Sequence, residues 1–145
     1  MTESNLRSVS LTRTGPRTFA AVNSRGGRLV LGEGETSDFT AVELLLLAVA
    51  GCSAVDVDYL TSRRAEPETF EVAASAPKLH DEAGNHLGQL ELDFRITFPE
   101  GSDGDRARGI LVRALAQSRD RLCTVSRTVQ LPTPVAYSVD SLPID

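Results

Sequence analysis

Cys52 and Cys123 are the only two cysteines in a chain of 145 residues. A thiol ionised to its thiolate is a nucleophile, and two thiols that meet can pass through a sulfenic acid to a disulfide. Cys52 stands in AVELLLLAVAGCSAVDVDYL, residues 41 to 60, the most apolar stretch of the sequence. Free cysteine is among the most buried residue types, so Cys52 also reads as core filling. Gly51 and Ser53 beside it would let another group approach closely. Cys123 follows a second helical pattern; if it begins a short further helix, the open backbone N–H groups there favour a thiolate. Two cysteines on or beside helices fit a peroxidatic and resolving pair, provided that their Cα atoms come within about 7 Å.

Other chemistries find less. His80 and His86 flank the loop HDEAGNH, but the cysteines lack the C-x-x-C spacing of a zinc site, so the sequence gives no metal set. GEG at 32 to 34 is too short for a phosphate-binding fingerprint and reads as a loop. No G-x-S-x-G elbow of a serine hydrolase is present. A net charge of −5 argues against a general nucleic-acid binder, which needs a basic face. The N-terminal residues show no apolar signal region, and the run Leu44 to Val55 is too short to span a bilayer. A cytoplasmic protein without a membrane partner is expected, and in that reducing compartment a permanent disulfide is not.

The elements that must position these residues follow from pattern. LRSVSLTRT (6–14) and RTFAAVN (17–23) read as strands around a Gly15-Pro16 turn. SRGG (24–27) turns the chain into RLVLGE (28–33), completing a meander. Thr40 and Glu43 have capping-box spacing, with Ser37 and Asp38 as alternative caps, and a helix is expected from about residue 40 to Arg64. Its first half is apolar nearly all round, which predicts enclosure on most sides, with a partner subunit supplying part of the cover. TFEVAASAPKL (69–79) reads as a strand, and LELDFRITF (90–98) alternates cleanly, with Leu90, Leu92, Phe94, Ile96 and Phe98 on one face. After the loop PEGSDGD (99–105), RARGILVRALAQSRDRL (106–122) predicts an amphipathic helix with Ile110, Leu111, Ala114, Leu115 and Leu122 inward. VAYSV (135–139) is a candidate last strand. The order is α+β, one domain over residues 1–145, without repeats.

AVELLLLAVAGCSAVDVDYL resembles the central-helix motif of the osmotically inducible protein C and organic hydroperoxide resistance family, P-x-E-L-L-L-A-A-L-A-G-C-T. SRDRLCTVSRTV resembles that family's second motif, in which a cysteine follows a helix. The resemblance spans nearly the whole chain. It implies an intertwined α+β homodimer whose central helices are buried and wrapped by antiparallel sheets. It further implies a thiol peroxidase for organic hydroperoxides, with Cys52 peroxidatic and Cys123 resolving, recycled by an external dithiol or lipoylated protein. No metal, haem or flavin cofactor is implied. The family's activating arginine maps by TGPRTFA onto Arg17, with Arg13 as the nearby competitor.

The acidic partner of that arginine stands ten residues before the cysteine in the hydroperoxide-resistance branch. Here that position is Val42, and Glu43 lies one residue on, about 100° around a helix. Glu43 is thus both a catalytic candidate and a capping-box residue. Ala41 stands at the usual proline. These departures place the chain nearer the broad OsmC-like branch, where a non-catalytic protein that binds a small apolar ligand or acts in stress is the alternative.

Overall fold

A computed structural model describes residues 5–145. They form two compact units, the first ending at Leu46 and the second running from Leu47 to Asp145. In the first, β1 (Val9–Gly15), β2 (Thr18–Asn23) and β3 (Arg28–Gly32) make the expected antiparallel meander, and the short β4 (Phe39–Thr40) runs parallel beside β3. β1 begins at Val9 rather than Leu6. Val9 pairs with Asn23, the last residue of β2, so no strand remains opposite residues 6 to 8.

Pro16 and Arg17 form the two-residue link between β1 and β2. Proline fixes the first φ near −65°, and Arg17 has φ 56°, the signature of a type II turn. Glycine is the usual occupant of such a left-handed position, where an L side chain costs roughly 1–2 kcal/mol. The second turn is organised by Asn23, whose Oδ1 accepts the N–H groups of Arg25 at 3.0 Å and Gly27 at 2.8 Å.

The capping box forms as the spacing predicts. The Thr40 N–H donates to Glu43 Oε1 at 2.8 Å, and the Glu43 N–H donates to Thr40 Oγ1 at 3.2 Å. Helix α1 (Ala41–Thr61) begins there. It stops three residues short of Arg64, because the N–H groups of Arg64 and Ala65 both turn back to the Thr61 carbonyl. Val49, Ala50, Ser53, Val57 and Thr61 form its buried stripe. Within the single chain the rest is not enclosed: Val42, Leu45, Leu47, Val55 and Tyr59 are between 40% and 69% exposed.

In the second unit β5 (Thr69–Ser75) pairs antiparallel with β8 (Glu91–Thr97). The alternation read in the sequence is borne out, with Leu92, Phe94 and Ile96 half-buried, Phe98 fully so, and Glu91, Asp93, Arg95 and Thr97 outward. Phe70 meets Phe94 diagonally across the pair, edge to face at 6.3 Å, and Thr69 hydrogen-bonds Thr97 directly opposite at 2.7 Å. HDEAGNH is not a loop. It belongs to a hairpin of β6 (Lys78–Asp81) and β7 (Gly84–Leu87) that turns at Glu82-Ala83. Each face carries a single leucine, Leu79 or Leu87, among polar residues, so no period-2 alternation marks it. His80 Nδ1 meets Asn85 Oδ1 at 2.9 Å, and His86 lies 3.7 Å from Asp81.

Helix α2 (Ser102–Gln117) starts four residues before Arg106, inside PEGSDGD. Asp103 and Asp105 in its first turn favour the positive end of the helix and pair with Arg106 and Arg108. Gly104 seats this turn on the Pro99 carbonyl, where a Cβ would come within 1.7 Å of the oxygen. Ile110, Leu111, Ala114 and Leu115 face inward as expected, whereas Leu122 is 43% exposed. The reason is a single π-helical turn, Ser118–Leu122, which breaks the 3.6-residue period. Helix α3 (Thr124–Gln130) follows, then a small hairpin of β9 (Ser138–Val139) and β10 (Leu142–Pro143). Among the described residues no helix is long and apolar enough to cross a membrane.

Candidate active site

Cys52 and Asp56 stand one turn apart on α1 and therefore share a face. Cys123 reaches them from the junction of α2 and α3. The π turn ends when the Cys123 N–H donates to the Ser118 carbonyl at 2.9 Å, and Cys123 then serves as the N-cap of α3. The two sulfurs and one Asp56 carboxylate oxygen all lie within 4.8 Å of one another. Cys123 is fully buried; Cys52 is half-buried; both are free thiols.

Among the first N–H groups of α3, that of Ser126 donates to Cys123 Sγ at 3.3 Å, and that of Val125 favours the Cys52 thiolate. Burial nevertheless pushes the Cys52 thiol above its ordinary value of 9.0. The Val125 N–H pulls it down; the Cys123 sulfur, by hydrogen bonding and charge, and the Asp56 carboxylate, by charge, push it up further. Asp56 is held in turn by Ser118, whose Oγ donates to Oδ2 at 2.9 Å and which is 1% exposed.

A cavity of about 780 Å³ is lined by Ser53, next to Cys52, and by Ser126, whose N–H holds Cys123, though not by the three cluster residues themselves. Val49 and Ser53 of α1, Leu92 and Phe94 of β8, Leu115 of α2 and Val129 of α3 supply much of its wall, and Arg119 and Gln130 add polar groups.

The other two site candidates lie in the first unit. Arg17 Nε donates to Glu33 Oε1 at 2.6 Å, with side-chain exposures of 69% and 44%. The register of β2 on β3 explains the pair: Phe19 faces Leu31, so continuing outward places Arg17 opposite Glu33. Arg13, the competitor, sits inside β1 opposite Phe19. Glu43 closes the helix cap, and the carboxylate beside Arg17 is Glu33 instead.

Sequence reasoning missed Asp56, Ser118 and Glu33. Asp56 lies just past the apolar run Leu44 to Val55, and its i, i+4 spacing from Cys52 is the signal that would have found it. Glu33 was legible by counting register outward from the SRGG turn. Ser118 gave no signal, since its place depends on the π turn.

The model of a family described as OsmC-like protein matches residues 32–138. No curated protein sequence matches the chain. An OsmC-like protein of unknown function from Vibrio cholerae is 12% identical, with TM-score 0.72 over 86% of this chain and 94% of that one. An organic hydroperoxide resistance protein OsmC from Legionella pneumophila is 17% identical, with TM-score 0.59 over 86% and 89%. The organic hydroperoxide resistance protein OhrB of Bacillus subtilis is 13% identical, with TM-score 0.53 over 86% and 90%. At such identities these structures share a mixed α+β fold with this one. The family match covers most of the chain, including both cysteines, and the chain therefore belongs to the OsmC-like family.

Proposed function

We propose that the protein is a thiol-dependent peroxidase for organic hydroperoxides, built as one OsmC-like domain over residues 1–145. The observation that carries this reading is the convergence of the chain's only two thiols to within 4.8 Å. The hydroperoxide-resistance names of the Legionella and Bacillus structures support it. Cys52, ionised to thiolate, attacks one peroxide oxygen; the O–O bond breaks, the alcohol leaves with a proton, and Cys52 becomes a sulfenic acid. The Cys123 thiol then attacks that sulfur, expelling water and forming the disulfide. An external dithiol or lipoylated protein reduces it by exchange and is itself oxidised to a disulfide. The chemistry needs no metal, haem or flavin.

Arg17 is assigned the activating role, stabilising the reacting oxygen and the thiolate once peroxide is bound. A guanidinium suits that role because it keeps its charge when desolvated. Its strained left-handed backbone, kept where glycine would be cheaper, supports a functional reason for the residue. Glu43 is assigned to the helix cap. The apolar cavity wall favours alkyl or aryl hydroperoxides over hydrogen peroxide.

The assembly is proposed to be a homodimer in the cytoplasm. Each large apolar side chain that a second copy covers on α1 contributes up to about 1.5–3 kcal/mol, and Leu47, Val55 and Tyr59 are more than half exposed.

A stopped-flow titration of the reduced protein with cumene hydroperoxide, followed by intact mass, tests this reading. Rapid loss of two hydrogens per chain is expected. Cys52→Ser abolishes it without unfolding the protein; undiminished turnover in that variant ends the proposal. Cys123→Ser still undergoes the first oxidation but stalls as a trappable sulfenic acid. The cavity favours a second reading, a non-catalytic binder of a small apolar ligand. That reading predicts no thiol loss after one equivalent of hydroperoxide.

A further inference from the structure

The peroxide chemistry needs two sulfurs and leaves Asp56 without a task. Its carboxylate instead completes, with the two sulfurs, a set of three donor atoms within 4.8 Å of one another. Among the described residues no ion pair engages Asp56; only the Ser118 hydroxyl holds it. With both thiols ionised the trio carries three negative charges, and a dication is what such a set binds.

The geometry suits one. Tetrahedral zinc holds thiolate sulfur at about 2.3 Å and carboxylate oxygen at about 2.0–2.2 Å, which sets the ligand atoms roughly 3.5–3.8 Å apart. The three donor atoms here lie no more than 4.8 Å from one another, a gap that small side-chain rotations close. Two donors come from one face of α1 and the third from a helix cap, so rigid elements position all three. The Ser118 hydrogen bond to Oδ2 is the kind of outer contact that orients a metal-bound carboxylate. Two sulfurs and one oxygen select a soft or borderline d10 cation over magnesium or calcium. The C-x-x-C criterion does not reach this site, because its cysteines converge from separate helices.

We propose that the reduced chain binds one Zn²⁺, or a similar soft dication, through Cys52 Sγ, Cys123 Sγ and an Asp56 carboxylate oxygen. Water takes the fourth position on the half-buried side, and the two thiols release their protons. This metal is an occupant of the thiol pair and not a cofactor. Binding keeps both thiolates from the O–O bond. Oxidation by one hydroperoxide, with uptake of two protons, gives the disulfide, the alcohol and water, and expels the cation. This competition rests on the peroxidase reading; the binding itself does not.

The test uses full-length reduced protein under nitrogen, without peroxide, titrated with Zn²⁺ against a chromophoric chelator. One Zn²⁺ per chain is expected, and Co²⁺ in its place gives thiolate-to-metal charge-transfer absorption with tetrahedral bands. Asp56→Asn, which keeps the shape of the side chain, weakens binding at least tenfold, and the Cys52→Ser and Cys123→Ser variants each abolish the charge-transfer band or halve it. Wild-type affinity no greater than that of the Cys52→Ser/Cys123→Ser double variant overturns the site. So does an affinity unchanged by Asp56→Asn. Zinc binding in a protein that peroxide fails to oxidise upholds this proposal while ending the peroxidase reading. Peroxide oxidation without zinc binding does the reverse.

Discussion

Arg17 in the first unit and Cys52 in the second meet their charges in opposite ways. Arg17 and Glu33 are an exposed pair of opposite sign, at the tip of a hairpin where water solvates both. Cys52, Asp56 and Cys123 are half or fully buried, and every charge the trio can carry is negative. An exposed ion pair is worth only about 0–1 kcal/mol, so Arg17 gives up Glu33 at little cost. Burial, the Cys123 sulfur and the Asp56 carboxylate all oppose ionisation of Cys52. One region holds a charge loosely and the other opposes one at Cys52.

The largest effect expected from breaking this contrast is at Arg17. Arg17→Gly lowers the rate of Cys52 oxidation by cumene hydroperoxide about 100-fold, the usual cost of losing a group that stabilises developing charge. Its stability, measured by urea denaturation, changes by less than about 1 kcal/mol, because relief of the left-handed backbone offsets the lost ion pair. An unchanged rate would remove Arg17 from the chemistry.

The pH profile sharpens the contrast further. The second-order rate of Cys52 oxidation reports the free protein, in which the thiol is raised above 9.0. The rate is therefore expected to climb through pH 9 before it levels. Arg17→Gly lowers the whole curve without moving its midpoint, whereas Asp56→Asn removes a charge that opposes the thiolate and moves the midpoint down. A wild-type midpoint well below 9 would show a cation already resting on the thiol in the free protein. The sign for stability follows from the same shift. The contribution of Cys52 is full below the unfolded thiol's pKa and is lost as pH rises through the folded value. The smallest effect belongs to Glu43→Gln, since glutamine also closes a capping box: the rate should stay within about twofold and the stability within about 0.5 kcal/mol. A larger fall in rate alone would return Glu43 to catalysis.

Much of this was legible in the sequence where one local rule governs. The alternation of LELDFRITF, the capping box at Thr40 and Glu43, and the SRGG turn each depend on near neighbours, and each stands where pattern placed it. Patterns failed where two rules cancel. The β6–β7 hairpin has one leucine on each face among polar residues, so burial leaves no alternating trace in its sequence. The first turn of α2 reads as a loop because Gly101 and Gly104 punctuate it, although one ends the preceding segment and the other lets the helix sit on Pro99. Both cysteines were evident as candidates. That they meet, and that Asp56 meets them, depends on contacts between distant segments that no spacing along the chain encodes.

The π turn at Ser118–Leu122 makes chain length itself part of the site. It holds one residue more than an α-helical turn between the Ser118 carbonyl and the Cys123 N–H. Arg119, Asp120, Arg121 and Leu122 are exposed, and apart from Arg119, which also lines the cavity, a scan of substitutions there would meet ordinary surface residues. A scan of deletions would meet something else. Removing any one of the four restores the α-helical count and turns Cys123 about 100° away from Cys52, so this segment tolerates spelling errors but not a missing letter.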